Sequence, residues 1–177
     1  MFEGKKVRLR AYKREDLLKA REYLNNPETA AMMRPGILFP LRQEDEDKWY
    51  EGLDPGSNRE YNFAIEDKND GTYLGGCGVH NLDAKNRHGS IGVFLGEEHT
   101  GKGYGTDALR VLICLCFEEI NLNKVKLNVY SFNQRARACY EKLGFRSEGV
   151  LRQEIYRHGK YHDNIVMGLL RSEWAAT

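Results

Sequence analysis

Three glycines alternate with other residues where a predicted strand turns into a predicted helix, at Gly101, Gly103 and Gly105. Glycine has no Cβ atom, so the backbone N–H groups at these positions can approach a ligand closely. The first turn of a helix also carries unpaired N–H donors and a partial positive charge, which together favour a phosphate or pyrophosphate. The spacing therefore allows an anion-binding loop, and a flexible glycine-rich turn is the alternative.

The glycine spacing differs from two common nucleotide-binding patterns. A P-loop requires Gly-x-x-x-x-Gly-Lys-Ser/Thr, and the chain contains no Gly-Lys-Ser/Thr. A Rossmann fingerprint requires Gly-x-Gly-x-x-Gly, whereas the second interval here is one residue shorter. Neither class of site is therefore predicted.

A predicted helix from Asn133 to Leu143 carries a tyrosine that could take part in acid–base chemistry. Asn133 suits the N-cap of this helix, and Gly144 suits the position just after its end. A tyrosine on the buried face of such a helix is typical of a core residue, so this pattern alone leaves Tyr140 structural. The apolar stripe of the helix contains Ala136, Cys139, Tyr140 and Leu143.

The histidines and cysteines show no metal-binding pattern. The chain has no Cys-x-x-Cys pair, which favours reduced thiols over disulfides or zinc. The histidines are too scattered for metal-ligand spacing, and each one is more typical of a surface residue. They are His80, His88, His99, His158 and His162.

Two segments of the sequence resemble the signatures of a known superfamily. Thr100-Gly-Lys-Gly-Tyr-Gly105 resembles the acetyl-coenzyme A loop Gln/Arg-x-x-Gly-x-Gly/Ala of the GNAT N-acetyltransferases. The segment from Asn133 to Phe145 resembles the second signature of that superfamily, Asn-x-x-Ala-x-x-x-Tyr-x-x-x-Gly-Phe. The likeness runs from Val7 to Trp174 and points to the RimJ/RimL-type ribosomal-protein acetyltransferases and to the spermidine acetyltransferases.

The resemblance assigns a role to each matched residue. Tyr140 is expected to donate a proton as the coenzyme A thiolate leaves, and Asn133 to contact the coenzyme. Thr100 occupies the position where the family has Gln or Arg, so Lys102 is expected to supply the positive charge that contacts the phosphates. Val93, Phe94 and Leu95 are expected to line the pantetheine arm of acetyl-coenzyme A, and its pyrophosphate is expected to lie on Thr100, Gly101, Lys102, Gly103, Tyr104, Gly105 and Thr106.

The implied reaction is direct attack of a neutral primary amine on the acetyl thioester, with the oxyanion stabilised by a backbone N–H. The general base is not identified, because Ser90 occupies the position of the family's usual glutamate; His88, Glu66 and a bound water are alternatives. A protein N-terminal α-amine or a small primary amine is the preferred acceptor, and a polyamine is the alternative. A non-catalytic acyl-coenzyme A-binding module or a scaffold protein would explain the same glycines without chemistry.

The elements that position these residues follow from hydrophobic periodicity. Residues 90–95 and 124–130 alternate as strands, and Leu109, Leu112 and Ile113 begin the apolar stripe of a long helix. Further strands are predicted at 7–10, 61–66, 72–82, 147–157 and 161–170, with helices at 15–24 and 42–53. The segment Met32–Pro40 is predicted to be an irregular loop that could wall a substrate site. We therefore expect an α/β (α+β) fold, with about seven strands in a mixed, mostly antiparallel sheet and about four helices, as one domain over residues 1–177.

Composition excludes several other classes of protein. The net charge is +1 with 30% charged residues, and the longest charged block is Glu44–Asp47, which argues against nucleic-acid binding. Those four carboxylates suit the start of the helix at 42–53, and a rim that attracts cations is the alternative. No run of about 18 apolar residues occurs, so a cytoplasmic protein without a membrane span is expected, and a homodimer is possible.

Overall fold

The computed structural model describes residues 2–54, 56 and 59–174. Its strands are β1 (Phe2–Glu3), β2 (Val7–Arg10), β3 (Tyr61–Asp67), β4 (Tyr73–Asp83), β5 (His88–Leu95), β6 (Lys124–Tyr130), β7 (Arg146–Arg157) and β8 (Lys160–Leu170). Its α-helices are α1 (Asp16–Asn25), α2 (Pro27–Met33), α3 (Gln43–Glu51), α4 (Tyr104–Glu118) and α5 (Gln134–Lys142). The sequence also predicts a turn at Asp54–Ser57, of which Pro55 and Ser57 lie outside the described residues.

The strands form one sheet in the order β1-β2-β3-β4-β5-β6-β8-β7. Among the described residues every pair of neighbours is antiparallel except β5 and β6, which run parallel. The predicted α/β class and the mostly antiparallel sheet are confirmed, and residues 2–54, 56 and 59–174 contain eight strands and five α-helices where about seven and about four were expected. The single domain over residues 1–177 stays a prediction.

The main core lies between the sheet and α4. Leu112, Ile113 and Cys116 are fully buried there, as the helical period predicts, and they belong to the same cluster as Val79 of β4 and Val125 of β6. The opposite face of the sheet carries a smaller cluster, which consists of Tyr12, Ala20, Tyr23, Ala64 and Tyr73. Because side chains alternate along a strand, each strand contributes to both faces.

The prediction of an irregular loop at Met32–Pro40 is wrong at Met32 and Met33, which form the last turn of α2. Asn26 and Pro27 were interpreted as the end of one helix, and they also begin the next. The Asn26 Oδ1 accepts hydrogen bonds from the backbone N–H groups of Glu28, at 3.0 Å, and Thr29, at 3.2 Å. A side-chain cap followed by proline at the first helical position is a strong start signal.

The cysteines are free, and Cys77 and Cys116 lie in the core. Burial raises the pKa of the Cys116 thiol to about 12 and raises the pKa of Cys77 further. In the part of the chain that the structure describes, no three His, Cys, Asp or Glu side chains are grouped as a metal site would require. No helix there is long and apolar enough to cross a membrane.

Candidate active site

A cleft opens in the sheet where β5 and β6 separate. In the described part of the chain, the two strands are paired only at His88↔Lys124, Gly89↔Val125 and Ser90↔Lys126. Beyond Ser90, β5 continues to Leu95 with no described strand paired on that side, although its other edge stays paired with β4 through Leu95. Backbone N–H and C=O groups of β5 beyond Ser90 can therefore bind an extended ligand arm in the cleft.

A cavity of about 570 Å³ occupies this cleft. Its volume is typical of sites that bind small molecules and cofactors. It is lined by ten of the twelve residues that the sequence analysis assigned to the site: Val93, Phe94, Leu95, Thr100, Gly101, Gly103, Gly105, Thr106, Asn133 and Tyr140. The structure thus brings the glycine-rich loop and the tyrosine to one space, although they are more than thirty positions apart in the sequence.

The glycine-rich loop has the backbone geometry that its sequence predicts. Gly101 has a φ of 75° and Gly103 a φ of 87°, in the left-handed region that favours glycine. Gly103 is the N-cap of α4, and no side chain caps the helix there. The N–H groups of the first helical turn therefore have no partner within the helix. Together with the positive end of the helix dipole, these N–H groups suit a pyrophosphate. A Cβ atom added to Gly101 would meet no atom within 4 Å, so the loop has open space beside it.

A buried aspartate connects the start of α4 to the amino-terminal strands. The Asp107 carboxylate accepts backbone hydrogen bonds from Lys5 at 3.1 Å, Lys6 at 2.7 Å and Val7 at 3.0 Å. Asp107 is only 8% exposed, and it lies in the first turn, where negative charge suits the helix dipole. This arrangement holds the helix start, and hence the loop, against β2.

The Tyr140 ring forms part of the cavity wall, and the residue is 9% exposed. Its ring packs edge-on against Phe145, with centroids 6.0 Å apart. Within the described residues its hydroxyl makes no hydrogen bond, so it is available to a ligand. Burial, with a smaller contribution from the neighbouring Cys139, raises the pKa of Tyr140 to about 12. The residue is therefore a neutral hydrogen-bond donor at physiological pH.

Two predicted contacts are partly occupied by the protein's own backbone. The Asn133 Oδ1 caps α5 by accepting from the Ala136 N–H at 3.1 Å, so the amide nitrogen is the group left for a ligand. The Thr100 hydroxyl donates to the Glu97 carbonyl at 2.8 Å. A threonine in that arrangement does not replace the longer Gln or Arg of the family pattern.

Two of the predicted residues, Lys102 and Tyr104, do not line the cavity. The Tyr104 hydroxyl donates a 2.5 Å hydrogen bond to Asp67, and the Lys102 carbonyl accepts one from the Lys6 ammonium. Gly101, Gly103 and Gly105 line the cavity and the two residues between them do not, which the linear pattern did not distinguish.

The sequence analysis missed residues that α2 and α5 bring to the cavity. Glu28, Thr29, Met32 and Met33 form a wall from α2, on the face of the sheet opposite α4. Arg135 and Lys142 of α5 add positive charge near the glycine-rich loop. Asn26 and Pro27 were the sequence signal from which the start of α2 could have been predicted. No local signal identifies which basic residues of α5 face the cavity.

A cleft between two separating parallel strands that begins at a glycine-rich helix start can hold the pyrophosphate and the extended arm of a coenzyme A thioester. Residues 6–146 match the family described as the acetyltransferase (GNAT) domain. The chain therefore belongs to the GNAT family, it is an N-acetyltransferase, and acetyl-coenzyme A is its cosubstrate. The superfamily resemblance in the sequence is confirmed.

Named relatives differ in the acceptor they act on. The chain is 41% identical over 105 residues to the putative ribosomal N-acetyltransferase YdaF of Bacillus subtilis, a match that spans 59% of this chain and only 57% of that protein. It is 30% identical over 172 residues to spermidine N(1)-acetyltransferase of Escherichia coli K12, covering 96% and 89%. A crystal structure of spermidine N-acetyltransferase from Vibrio cholerae with CoA and spermine aligns with a TM-score of 0.86, 26% identity and coverage of 95% and 97%.

Proposed function

We propose that this N-acetyltransferase transfers the acetyl group of acetyl-coenzyme A to a primary amine, either a protein N-terminal α-amine or a small-molecule amine. The observation that carries the proposal is the cavity itself, which runs from the glycine-rich loop past Tyr140 to the wall formed by α2. The cosubstrate would enter at the loop, and the acceptor would approach from the α2 side. The amine nitrogen would then attack the thioester carbonyl directly.

The proposed roles follow from the groups in the cleft. The N–H groups at the start of α4 and the charges of Arg135 and Lys142 would hold the phosphates of the coenzyme. Backbone groups of Val93 to Leu95 would bind the pantetheine arm and stabilise the oxyanion of the transition state. Tyr140 would donate a hydrogen bond to the leaving sulfur, and Asn133 would contact the coenzyme with its amide nitrogen.

Acceptor chemistry supports an α-amine over a more basic amine. At pH 7 an α-amino group with a pKa of ~8 must lose a proton at a cost of roughly 1.4 kcal/mol, whereas a lysine-like amine with a pKa of ~10.4 requires nearly 5 kcal/mol. Met32 and Met33 supply apolar surface on the acceptor side, which suits the side chains of a peptide or a small amine. Ile37 and Phe39, a few residues further along the chain, are also exposed.

The acidic group on α3 offers little free charge for a polyamine. Asp45 pairs with Arg42 at 2.9 Å, and Asp47 pairs with Arg14 at 3.3 Å. Glu46 is buried, and burial raises the pKa of its carboxyl group. The two ion pairs support the structural interpretation for Asp45 and Asp47, and Asp45 also lies in the first turn of α3, where negative charge suits the helix dipole.

A polyamine acceptor is the second candidate. Glu28 of α2 lines the cavity on the acceptor side and could attract a polycation, and Glu97 lines the cavity beside the glycine-rich loop. The spermidine acetyltransferase of Escherichia coli also matches almost the whole chain, which further favours this alternative. A possible homodimer and a cytoplasmic location stay predictions.

Thiol release from acetyl-coenzyme A across an amine panel tests the proposal. The panel contains peptides that begin with Ala or Ser, the same peptides with an acetylated N-terminus, spermidine, and an aminoglycoside. We expect kcat/KM for the free peptides or a small amine to exceed that for spermidine by tenfold or more, and the blocked peptides to be inactive. The reverse order would establish the polyamine alternative. Thermal stabilisation by coenzyme A without thiol release from any amine would establish a non-catalytic binding protein.

A further inference from the structure

The sequence leaves the general base of the proposed reaction open, and the register of the sheet brings one histidine to the cleft. His80 of β4 lies directly opposite Ser90 of β5. Ser90 in turn lies opposite Lys126 in the last pair before β5 and β6 separate. His80 is therefore aligned with the closed end of the cleft, one strand away.

His80 also lies on the acceptor face of the sheet. Val79 and Ile91 pack in the α4 core, so the alternate residues His80, Ser90 and Gly92 face the other side, the side of α2. That side is where the wall formed by α2 borders the cavity. The histidine thus shares a face with the space through which an acceptor amine would approach.

The imidazole lies on the sheet surface beside the cleft, although His80 does not itself line the cavity. A Cβ atom added to Gly78 would lie 2.9 Å from the His80 Nε2, so this nitrogen lies over the glycine. Gly78 is paired with Gly92, where an added Cβ would meet no atom within 4 Å. Gly92 immediately precedes Val93, which lines the cavity. The path from Nε2 to the cleft would therefore run over Gly78 and Gly92, where a bridging water would carry the proton.

A carboxylate lies beside the other ring nitrogen. The Glu60 Oε2 is 3.5 Å from the His80 Nδ1, at the outer limit of a hydrogen bond. A carboxylate on that side favours the tautomer with the proton on Nδ1, which leaves the Nε2 lone pair free. The side chains of His80 and Glu60 are 39% and 50% exposed, so a proton taken up by the ring can pass to solvent.

From these contacts we propose that His80 is the general base, an inference that rests on the proposed acetyl transfer. The acceptor ammonium gives one proton to Nε2 through one water, and the Glu60 carboxylate lies beside the resulting imidazolium. The neutral nitrogen then forms the C–N bond to the acetyl carbon, and its second proton passes to the sulfur as the C–S bond breaks. Tyr140 donates a hydrogen bond to the sulfur, which leaves as the thiol after taking up one proton. One proton is released to solvent in each turnover.

Charged groups of both signs lie near His80. The Glu60 carboxylate is 3.5 Å from its Nδ1, and Lys126, by its position in β6, shares the acceptor face across Ser90. His88, two residues before Ser90, lies 3.7 Å from the Asp83 carboxylate. Imidazole is suited to this role because it changes charge between pH 5 and 8.

The test compares the pH profiles of kcat/KM for the wild type and His80→Gln, with whichever amine the wild type acetylates. We expect kcat/KM of the variant at neutral pH to fall about 10²-fold, and the acid limb of its profile to be lost. The dissociation constant for acetyl-coenzyme A should stay within twofold. Glu60→Gln should lower kcat/KM by a smaller factor and shift the acid limb, and the exposed His158→Gln is the matched control, with no expected change.

Chemical rescue keeps the assignment testable if the glutamine variant is poorly folded. Added imidazole should restore part of the activity of His80→Ala and none of the activity of Tyr140→Phe. If His80→Gln keeps its acid limb and its kcat/KM within twofold, the base is another group. Failure of the wild type to acetylate any amine would instead remove the proposed function itself, and the inference with it.

Discussion

The side-chain ammonium of Lys6 donates a 2.7 Å hydrogen bond to the backbone carbonyl oxygen of Lys102, inside the glycine-rich loop. The same ammonium lies 5.8 Å from the centre of the Tyr104 ring. In a trans peptide the C=O and the following N–H point in opposite directions. Holding the Lys102 carbonyl away from the cavity therefore turns the Gly103 N–H towards it, where a phosphate would bind.

Lys6→Met should weaken binding of acetyl-coenzyme A without slowing chemistry. Loss of one exposed, charge-assisted hydrogen bond is worth about 1 kcal/mol, which corresponds to about a fivefold rise in KM for acetyl-coenzyme A. Steady-state kinetics should show kcat within twofold of the wild type. Lys5→Met is the control, because it removes the same positive charge from an exposed side chain and leaves the hydrogen bond to the Lys102 carbonyl in place. Equal KM values for the two variants would reject the positioning role of Lys6.

Asp107→Ala should destabilise the fold by about 3 kcal/mol, because it leaves three backbone N–H groups without their acceptor. Urea unfolding followed by tryptophan fluorescence measures this loss. Asp107→Asn keeps one acceptor oxygen and should lose about half as much. Asp70→Ala removes an exposed carboxylate that accepts a single turn hydrogen bond from Thr72, and it should cost less than about 1 kcal/mol. Equal losses for Asp107→Ala and Asp70→Ala would contradict the anchoring role.

Gly103→Ala should raise KM for acetyl-coenzyme A about tenfold or more. The φ of 87° is strained for alanine by roughly 1–2 kcal/mol, and relief of that strain would rotate the N–H groups of the loop. Gly159→Ala provides a matched control, since Gly159 has a φ of 77° in the β7–β8 turn and no atom near its added Cβ. Both variants should lose similar stability in thermal unfolding, and only Gly103→Ala should affect KM. An effect of the same size from Gly159→Ala would assign the change to stability alone.

Tyr140→Phe should lower kcat by about 10–10²-fold and leave the dissociation constant for acetyl-coenzyme A within twofold. With the pKa of Tyr140 at about 12 and that of a thiol at about 8.5, full proton transfer to sulfur is uphill by about 5 kcal/mol. The ordinary tyrosine pKa of about 10 would make it uphill by about 2 kcal/mol. The buried hydroxyl is therefore better suited to donating a hydrogen bond than to giving up its proton fully.

The raised pKa of Tyr140 also predicts a pH effect. Because the hydroxyl stays protonated until the pH approaches 12, any basic limb of the kcat profile below pH 10 belongs to another group. That limb should persist in Tyr140→Phe, and its loss would contradict the assignment. Tyr156→Phe, at an exposed position of β7, is the control and should match the wild type in both kcat and pH profile. Unchanged turnover in Tyr140→Phe would reject its role.

Local periodicity predicted most of the elements near the site. The strand at Lys124–Tyr130 has the predicted bounds, and α4 buries the predicted stripe. Asn133 caps α5 and Gly144 follows it with a φ of 95°, as their residue types indicate. The short helix α2 was missed because Asn26 and Pro27 end one helix and begin another, and a local reading assigned them a single role.

By itself, the sequence determined the type of most elements, the superfamily and the glycines that suit a phosphate, because these depend on spacing within one short segment. Only the tertiary structure decided where β5 and β6 separate, that His80 lies opposite Ser90, and that Lys6 reaches Lys102. Each of these depends on strand register or on contacts between distant segments. Register shifts move a whole face of side chains at once, so no local pattern of residues specifies which groups meet at the cleft.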